Sequence, residues 1–283
     1  MTSRVHVVDV DISINETLHI SPLYDVHLDD SLCDHDALLK MAEKRRQLPN
    51  HHAVWFGDTL NLVVPPDLRR FRPSGQPKEI SGRDDWVNAT LDYAGDKIEA
   101  LGFVNDIFGP GNHEDEFTKR YGLDTTSILA HRFHAARGGY SGVVDYRIHL
   151  TGTSDLTFRL VYHHGAWGGR LAKGYNGAWP FFASVDSWNI ALFGHNHASR
   201  VDPEVRRRVH GGQLEEYPVF IVNCGAWVKS YSDDASQTHY AERHGYMVQP
   251  RSCPLIRVTP RRVRSGPRGK EKNRYFLAYS VEV

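Results

Sequence analysis

Five short polar clusters hold the residues able to do chemistry: Asp25 and His27 in DVH, Asp58 in GDTLN, Asn112 and His113 in GNHE, His163 and His164 in HHG, and His195 and His197 in GHNH. They supply carboxylate, amide and imidazole groups and no thiolate, the oxygen and nitrogen donors suited to Mn, Fe, Zn or Ni. The donors are too many for one tetrahedral ion and fit two metals sharing a ligand. Two divalent ions about 3.5 to 4 Å apart are a device for phosphate-ester hydrolysis, because they activate a water and clamp the oxygens of an in-line displacement. DxH and HxH spacing sends alternate residues of an extended segment to the same side, with Val26 and Asn196 turned elsewhere. Singly, each cluster has a plainer reading as turn, hairpin or surface chain.

Elements must position these groups. Each cluster follows a short apolar run: TLHIS before PLYDVH, AVWF before GDTLN, FVNDIF before GPGNHE, TFRLVY before HHG, and NIALF before GHNH. Their length and their Val, Ile, Leu and Phe content predict buried strands. Residues 34–46 predict a helix, with Leu38, Leu39, Met41 and Ala42 on one side, Asp at the start and basic residues at the end. Residues 84–101 predict another, carrying Trp86, Leu91, Ile98 and Leu101, with Gly102 as its stop. Alternating strands and helices argue an α/β sheet protein. In such sheets, polar residues just past the strand C-termini gather along one edge, where ligands bind.

Residues 65–85 are rich in Pro, Gly and charge and predict a long loop. VFIVN, PLIRV and RYFLAYSVEV predict further strands late in the chain. With no internal repeat and no visible boundary, residues 1–283 read as a single domain, its motifs in a core of about 15–200 and its C-terminal strands and basic hairpin in 201–283.

With 40% hydrophobic and 24% charged residues, and 34 basic balanced by 34 acidic, the chain reads as soluble and globular, with no overall field toward nucleic acid or membrane. The start MTSRVHVVDVDIS is unlike a secretory leader, and no run of about 18 apolar residues suggests a membrane span, so a cytoplasmic location and no membrane partner are expected. Cys33, Cys224 and Cys253 form no CxxC pair and read as reduced packing thiols.

The ordered set DVH, GDTLN, GNHE, HHG, GHNH resembles the calcineurin-like metallophosphoesterase superfamily over about residues 15–200. The resemblance implies a two-sheet sandwich with helices on both outer faces (αββα). It implies two divalent metal ions, Mn first with Fe, Zn or Ni as others. Asp25, His27 and His197 would hold one and Asn112, His164 and His195 the other, with Asp58 bridging. It implies that His113 stabilises phosphate and protonates the leaving oxygen. In the family the ligand stands immediately before the glycine, which favours His164 and leaves His163 to support a ligand or meet substrate.

Two departures bear on substrate. GDTLNLVV lacks the phosphate-gripping arginine of the Ser/Thr protein phosphatases, and Asp115 and Glu116 follow GNHE, where they would repel a phosphoprotein. Asp29 stands where many relatives carry glycine and is expected to narrow the approach to the first metal. In GAWGGRLAKGYNG, Gly165, Gly168 and Gly169 allow close backbone approach, and Arg170 and Lys173 could receive the non-reacting part of a phosphodiester. Equally, the glycines shape a turn and the cations are solvated. No GK[ST] follows, which excludes a P-loop.

Between 257 and 274 stand six arginines and two lysines against one glutamate, followed by Tyr275 and Phe276. The stretch is either a nucleic-acid surface or a solvated hairpin, and Arg206, Arg207 and Arg208 share the ambiguity. Residues 224–254 are similar to a segment of viral and prophage-associated phosphoesterases. The expectation is therefore a metal-dependent phosphodiesterase acting on a nucleic acid or nucleotide. A non-catalytic metal-stabilised nucleic-acid scaffold and a small-molecule phosphomonoesterase are the alternatives.

Overall fold

The structure is a computed structural model that describes residues 4–64, 75–167, 174–210, 212–231, 242, 247–265 and 272–283. Its first half runs β1 (Val5–Asp11), β2 (Leu18–Leu23), α1 (His35–Arg45), β3 (His51–Phe56), α2 (Trp86–Leu101), β4 (Val104–Gly109), α3 (Asn112–Tyr121) and α4 (Thr125–Arg132). Then follow β5 (Ala136–Arg137), β6 (Ser141–His149), β7 (Leu156–His163), α5 (Tyr175–Ala183) and β8 (Ile190–Phe193). Two long hairpins end the chain, β9 (Ser199–His210) with β10 (Gln213–Cys224) and β11 (Leu255–Ser265) with β12 (Lys272–Glu282).

The strands form two mixed six-stranded sheets, ordered β1-β6-β7-β8-β10-β9 and β12-β11-β2-β3-β4-β5. Period-two alternation of apolar residues buries both faces. Val54 and Phe56 of β3, Leu160 and Tyr162 of β7, and Ile190 and Leu192 of β8 meet in one core shared by the two sheets. Their alternates face outward: Ala53 and Trp55 pack with residues of α1 to α4, and Val161, Ala191 and Phe193 pack with Ala178 and Phe182 of α5. The chain is thus α/β, with five helices among the described residues.

The two expected helices form close to their expected bounds. Asp34 caps α1 by accepting the Ala37 N–H at 3.1 Å, and Gly102 stops α2 in the left-handed region at φ 67°. Residues 65–74 lie outside the described residues, and 75–85 are turns and short irregular chain. All three cysteines are buried and free, and no described helix is long and apolar enough to cross a membrane.

In each sheet the parallel strands end at one edge. β2, β3 and β4 run parallel in the second sheet, as do β7 and β8 in the first. The five clusters stand at or just past these five C-terminal ends, His163 being the last residue of β7. The hairpins point the other way. β11 is antiparallel to β2, with Ile256 opposite Ile20 and Val258 opposite Leu18, so it leaves the Asp25 end and runs off. β10 is parallel to β8, with Asn223 opposite Phe193, so its beginning and the turn from β9 lie at the far edge.

Away from the clusters, buried Ser21 and His51 form a polar group with the half-buried Arg45. Arg45 Nη1 donates to Ser21 Oγ at 2.7 Å and to Cys253 Sγ at 3.0 Å, which leaves the serine hydroxyl to donate to His51 Nε2 at 2.8 Å. Burial, and then the Arg45 charge, push the His51 imidazole down to about 3. A histidine held neutral in the fold takes its proton more readily when unfolded. Its stabilising contribution is full above about pH 6.5 and is lost as pH falls toward 3, at about 1.36 kcal/mol per unit. Between pH 7 and 5 the urea midpoint therefore falls, and His51→Gln, which keeps an acceptor for Ser21, makes that fall smaller. An equal fall in the variant would contradict the assignment.

Candidate metal centre

Two strained turns build the first part of the site. Asp25, His27, Asp58, His195 and His197 have φ of 47°, 50°, 48°, 72° and 56°, the left-handed region that residues other than glycine rarely enter. The sequence expectation that DxH and HxH lie in extended chain is therefore corrected. Asp25 and His27 nonetheless join one donor group, whereas His195 and His197 go to different ones. Such strain, of order 1–3 kcal/mol per residue, persists only where neighbours over-determine the backbone. Here Asp25 N–H donates to Gly57 O at 3.1 Å, His27 N–H to Asp58 O at 2.9 Å and Leu28 N–H to Thr59 O at 2.9 Å. The loop after β2 is thus laced to the loop after β3.

Close approach does the rest. Gly57 has φ 107°, and a Cβ there would run into His164 Nδ1 and the Gly111 backbone. A Cβ at Gly111 would strike the Asp58 carboxylate. The backbone N–H of His113, in the first turn of α3, donates to Asp58 Oδ1 at 3.0 Å, so the helix N-terminus faces this carboxylate.

Two groups of donors result. Asp25, His27 and His197 each offer an atom within 4.8 Å of the others, and so do Asp58, His164 and His195. Asn112 Oδ1 stands 3.0 Å from His164 Nε2 and 2.7 Å from His195 Nδ1, and His164 Nε2 is 3.3 Å from Asp58 Oδ2. His164 Nδ1 faces the carbonyl of Phe56 at 3.2 Å, so this nitrogen carries hydrogen and Nε2 is turned to the group. Each group combines residues following strands of both sheets. The structure thus brings together all seven residues expected as ligands.

His163 joins neither group. Its Nδ1 accepts the Gly165 N–H at 2.9 Å, and its ring packs among Tyr140, Trp167 and Phe181. Burial pushes it down to about 4. Arg170, Lys173, Gly168 and Gly169 lie outside the described residues.

Burial and mutual charge shift these groups strongly. Burial pushes the Asp25 carboxyl up to about 8, and burial pushes the His27 imidazole well below its ordinary value, with His113 adding to the effect. Burial also opposes charge on His164, but the Asp58 carboxylate outweighs it and raises the imidazole to about 9. Burial alone would raise Asp58 too, yet His164 and His113 hold it well below the carboxylate range. Among the described residues, Asp25 Oδ1 and both ring nitrogens of His27 are buried without hydrogen-bond partners. Buried donors of this kind are costly unless something satisfies them, and a divalent cation with oxygen and nitrogen preferences does so.

Two acidic residues of this edge were not foreseen as supports. Glu114, 2% exposed, accepts the N–H groups of Gly111, Asp58 and Leu60 at 2.8, 3.1 and 2.9 Å and so ties the loop after β3 to the start of α3. Asp29 is 4% exposed and accepts the N–H groups of Asn61 and Leu62. Its carboxylate, expected to narrow the approach to the first metal, binds backbone amides of the neighbouring loop. Asp115 and Glu116 are also less free than expected, since each faces a cation one helical turn on, Lys119 and Arg120.

The basic stretches sit elsewhere. Residues 257–274 fall on the β11–β12 hairpin, of which 266–271 lie outside the described residues. At about 3.3 Å per residue, Ser265 lies roughly 30 Å along β11 from Ile256, at the edge opposite the five clusters. Arg207 pairs with Glu216 at 2.9 Å, Arg208 and Arg274 with Glu215 at 3.2 and 3.1 Å, and Arg257 with Glu282. Arg206 lies over the Trp188 ring.

No protein-family model matches this chain, and no curated protein matches it.

A bound cation stabilises the fold by mass action, by about 2.7 kcal/mol at a hundredfold excess over Kd. At about 2–4 °C per kcal/mol, adding Mn²⁺ or Zn²⁺ to chelator-treated protein raises Tm by roughly 5–10 °C. In Asp58→Ala the rise shrinks or vanishes. A Tm indifferent to both ions would contradict the centre.

Proposed function

We propose that this chain is a dinuclear-metal-dependent phosphoesterase of the calcineurin-like metallophosphoesterase kind, acting on phosphodiesters. The observation that carries the reading is the meeting of two donor groups around Asp58 and Asn112, with His113 beside them. Two sheets over one core with helices packed on their other faces fit the sandwich that the motif resemblance implies.

Asp25, His27 and His197 would hold one cation and Asn112, His164 and His195 the other, with Asp58 between them. A pair of divalent cations, when bound, supplies Lewis-acid neutralisation of a phosphoryl group and makes water more acidic. Mn²⁺ is the first to test, and Fe, Zn and Ni suit the same donors. The chain's own residues hold and direct the rest. His164 keeps its hydrogen on Nδ1 against Phe56 O, which frees Nε2 as a donor. His113 binds Asn61 O through Nδ1, so in the imidazolium form, with a second hydrogen on Nε2, this Nε2, 4.0 Å from Asp58 Oδ2, is the atom that would deliver a proton to the leaving oxygen and leave the ring neutral with hydrogen on Nδ1.

The diester preference follows from charge. A monoester brings a second negative charge, and Arg120, which lines a cleft with His113 and Asn61, is already paired with Glu116 at 3.1 Å. A singly charged diester asks for less compensation. The basic hairpin does not enter this reading, because it lies at the opposite edge. Whether the diester belongs to a nucleic acid or a nucleotide is a matter for a substrate panel.

With Mn²⁺, the protein hydrolyses bis(4-nitrophenyl) phosphate, and toward diesters with a more basic leaving group such as phenol His113→Gln lowers kcat by about 10²–10⁴ while both metals stay bound. Inertness toward diesters with Mn, Ni, Zn and Fe, in protein carrying two metals, would sink the reading. Hydrolysis of monoesters alone would turn it into a phosphomonoesterase. Nucleic-acid binding without turnover, indifferent to His113, would mark a scaffold.

A further inference from the structure

One peptide group is held from both ends. The peptide joining Asn61 to Leu62 donates its N–H to Asp29 Oδ2 at 2.9 Å, and its C=O accepts from His113 Nδ1 at 2.5 Å. The other oxygen of the same carboxylate takes the N–H of Asn61, and Asp30 Oδ2 takes the Asn61 side-chain amide at 2.9 Å. Asp29 and Leu62 are 4% and 6% exposed, so the bond between them is shielded from water. Leu62 has φ 51°, a bend that a leucine keeps only under constraint. The carboxylate supplies that constraint.

A carbonyl whose own peptide N–H is bonded to an anion is polarised and accepts more strongly. A carbonyl oxygen can only accept, so the hydrogen of the His113 contact must lie on Nδ1. We propose that Asp29 is a positioning residue for His113. Acting through this single peptide group, it fixes the imidazole with hydrogen on Nδ1 and directs Nε2 toward the centre. In the Ser-His-Asp triad a buried aspartate does this by touching the histidine. Here a peptide plane stands between the two, and the same ordering of atoms survives. The role of His113 rests on the proposed function, whereas the hydrogen bonds do not.

The test uses the full chain loaded with Zn²⁺ and Asp29→Asn, which keeps the side-chain volume but offers one acceptor and a donor where two acceptors stood. The first readout is nitrogen NMR of ¹⁵N-histidine protein at alkaline pH, with His113 assigned from its loss in His113→Gln. The wild type shows hydrogen on Nδ1 of His113, and the variant shows a mixture of both tautomers. Hydrogen on Nε2 in the wild type overturns the proposal, whether or not the variant folds.

The second readout is kcat against leaving-group basicity in a series of aryl phosphodiesters. If Asp29 orients the proton donor, the variant loses about tenfold with phenol as leaving group and at most about twofold with 4-nitrophenol, which needs little protonation. KM and metal content hold. An equal loss across the series overturns the positioning role and leaves Asp29 a brace of the loop. Wild-type protein with two metals and no diester hydrolysis overturns the proposed function instead, while the tautomer still decides Asp29.

Discussion

Four carboxylates are buried at one edge of this fold, and the arrangement of that edge follows from keeping them there. Asp25, Asp29, Asp58 and Glu114 are each exposed by 4% or less, and like charges in so little water oppose one another. The chain answers in two ways. Glu114 and Asp29 are satisfied by backbone N–H groups, three and two respectively, and by doing so fix the loop between Asp58 and Leu62. Asp25 and Asp58 each accept one such bond, from His195 N–H and His113 N–H, and otherwise face imidazoles. The first pair shapes the loop, and the second pair is left with oxygens to offer.

This division explains what the sequence could and could not disclose. The five clusters were legible because each follows a short apolar run, and in runs such as AVWF and NIALF successive buried residues enter opposite cores, as a strand covered on both faces requires. The first two helices were legible from their apolar spacing and from Asp34 and Gly102 at their ends. α3 was not read because it begins inside GNHE and buries only Glu114 and Phe117, too little for an apolar stripe. α5 was obscured by a glycine-rich approach and by Pro180 within it. β6 carried a readable signal, Val144, Tyr146 and Ile148 alternating with Asp145 and Arg147, that was not taken up.

Other features had no local signal at all. No spacing rule announces five left-handed residues, since Asp and His adopt that region only when a neighbouring loop holds them. Nor could composition tell that Asp29 serves amides on another loop, a pairing across more than thirty positions. Charge density was the misleading signal. The arginines of the late hairpins looked like a substrate surface in one dimension, but strand direction carries them away from the clusters, and glutamates on the facing strands meet several of them.

Each donor group takes members from both sheets: Asp25 and His27 after β2 with His197 after β8, and Asp58 after β3 with His164 after β7 and His195 after β8. Neither group exists in a half-assembled chain with one sheet formed, because the missing members arrive only with the other. The contacts that complete the centre also span long stretches of chain, such as the 170 positions between Asp25 and His195, and closure over such distances slows folding. A cation bound across this seam would act as a rivet, and its affinity would gauge how well the two sheets are aligned. Mutations far from the edge that let one sheet slide against the other would then register first as weakened metal retention, before any loss of secondary structure.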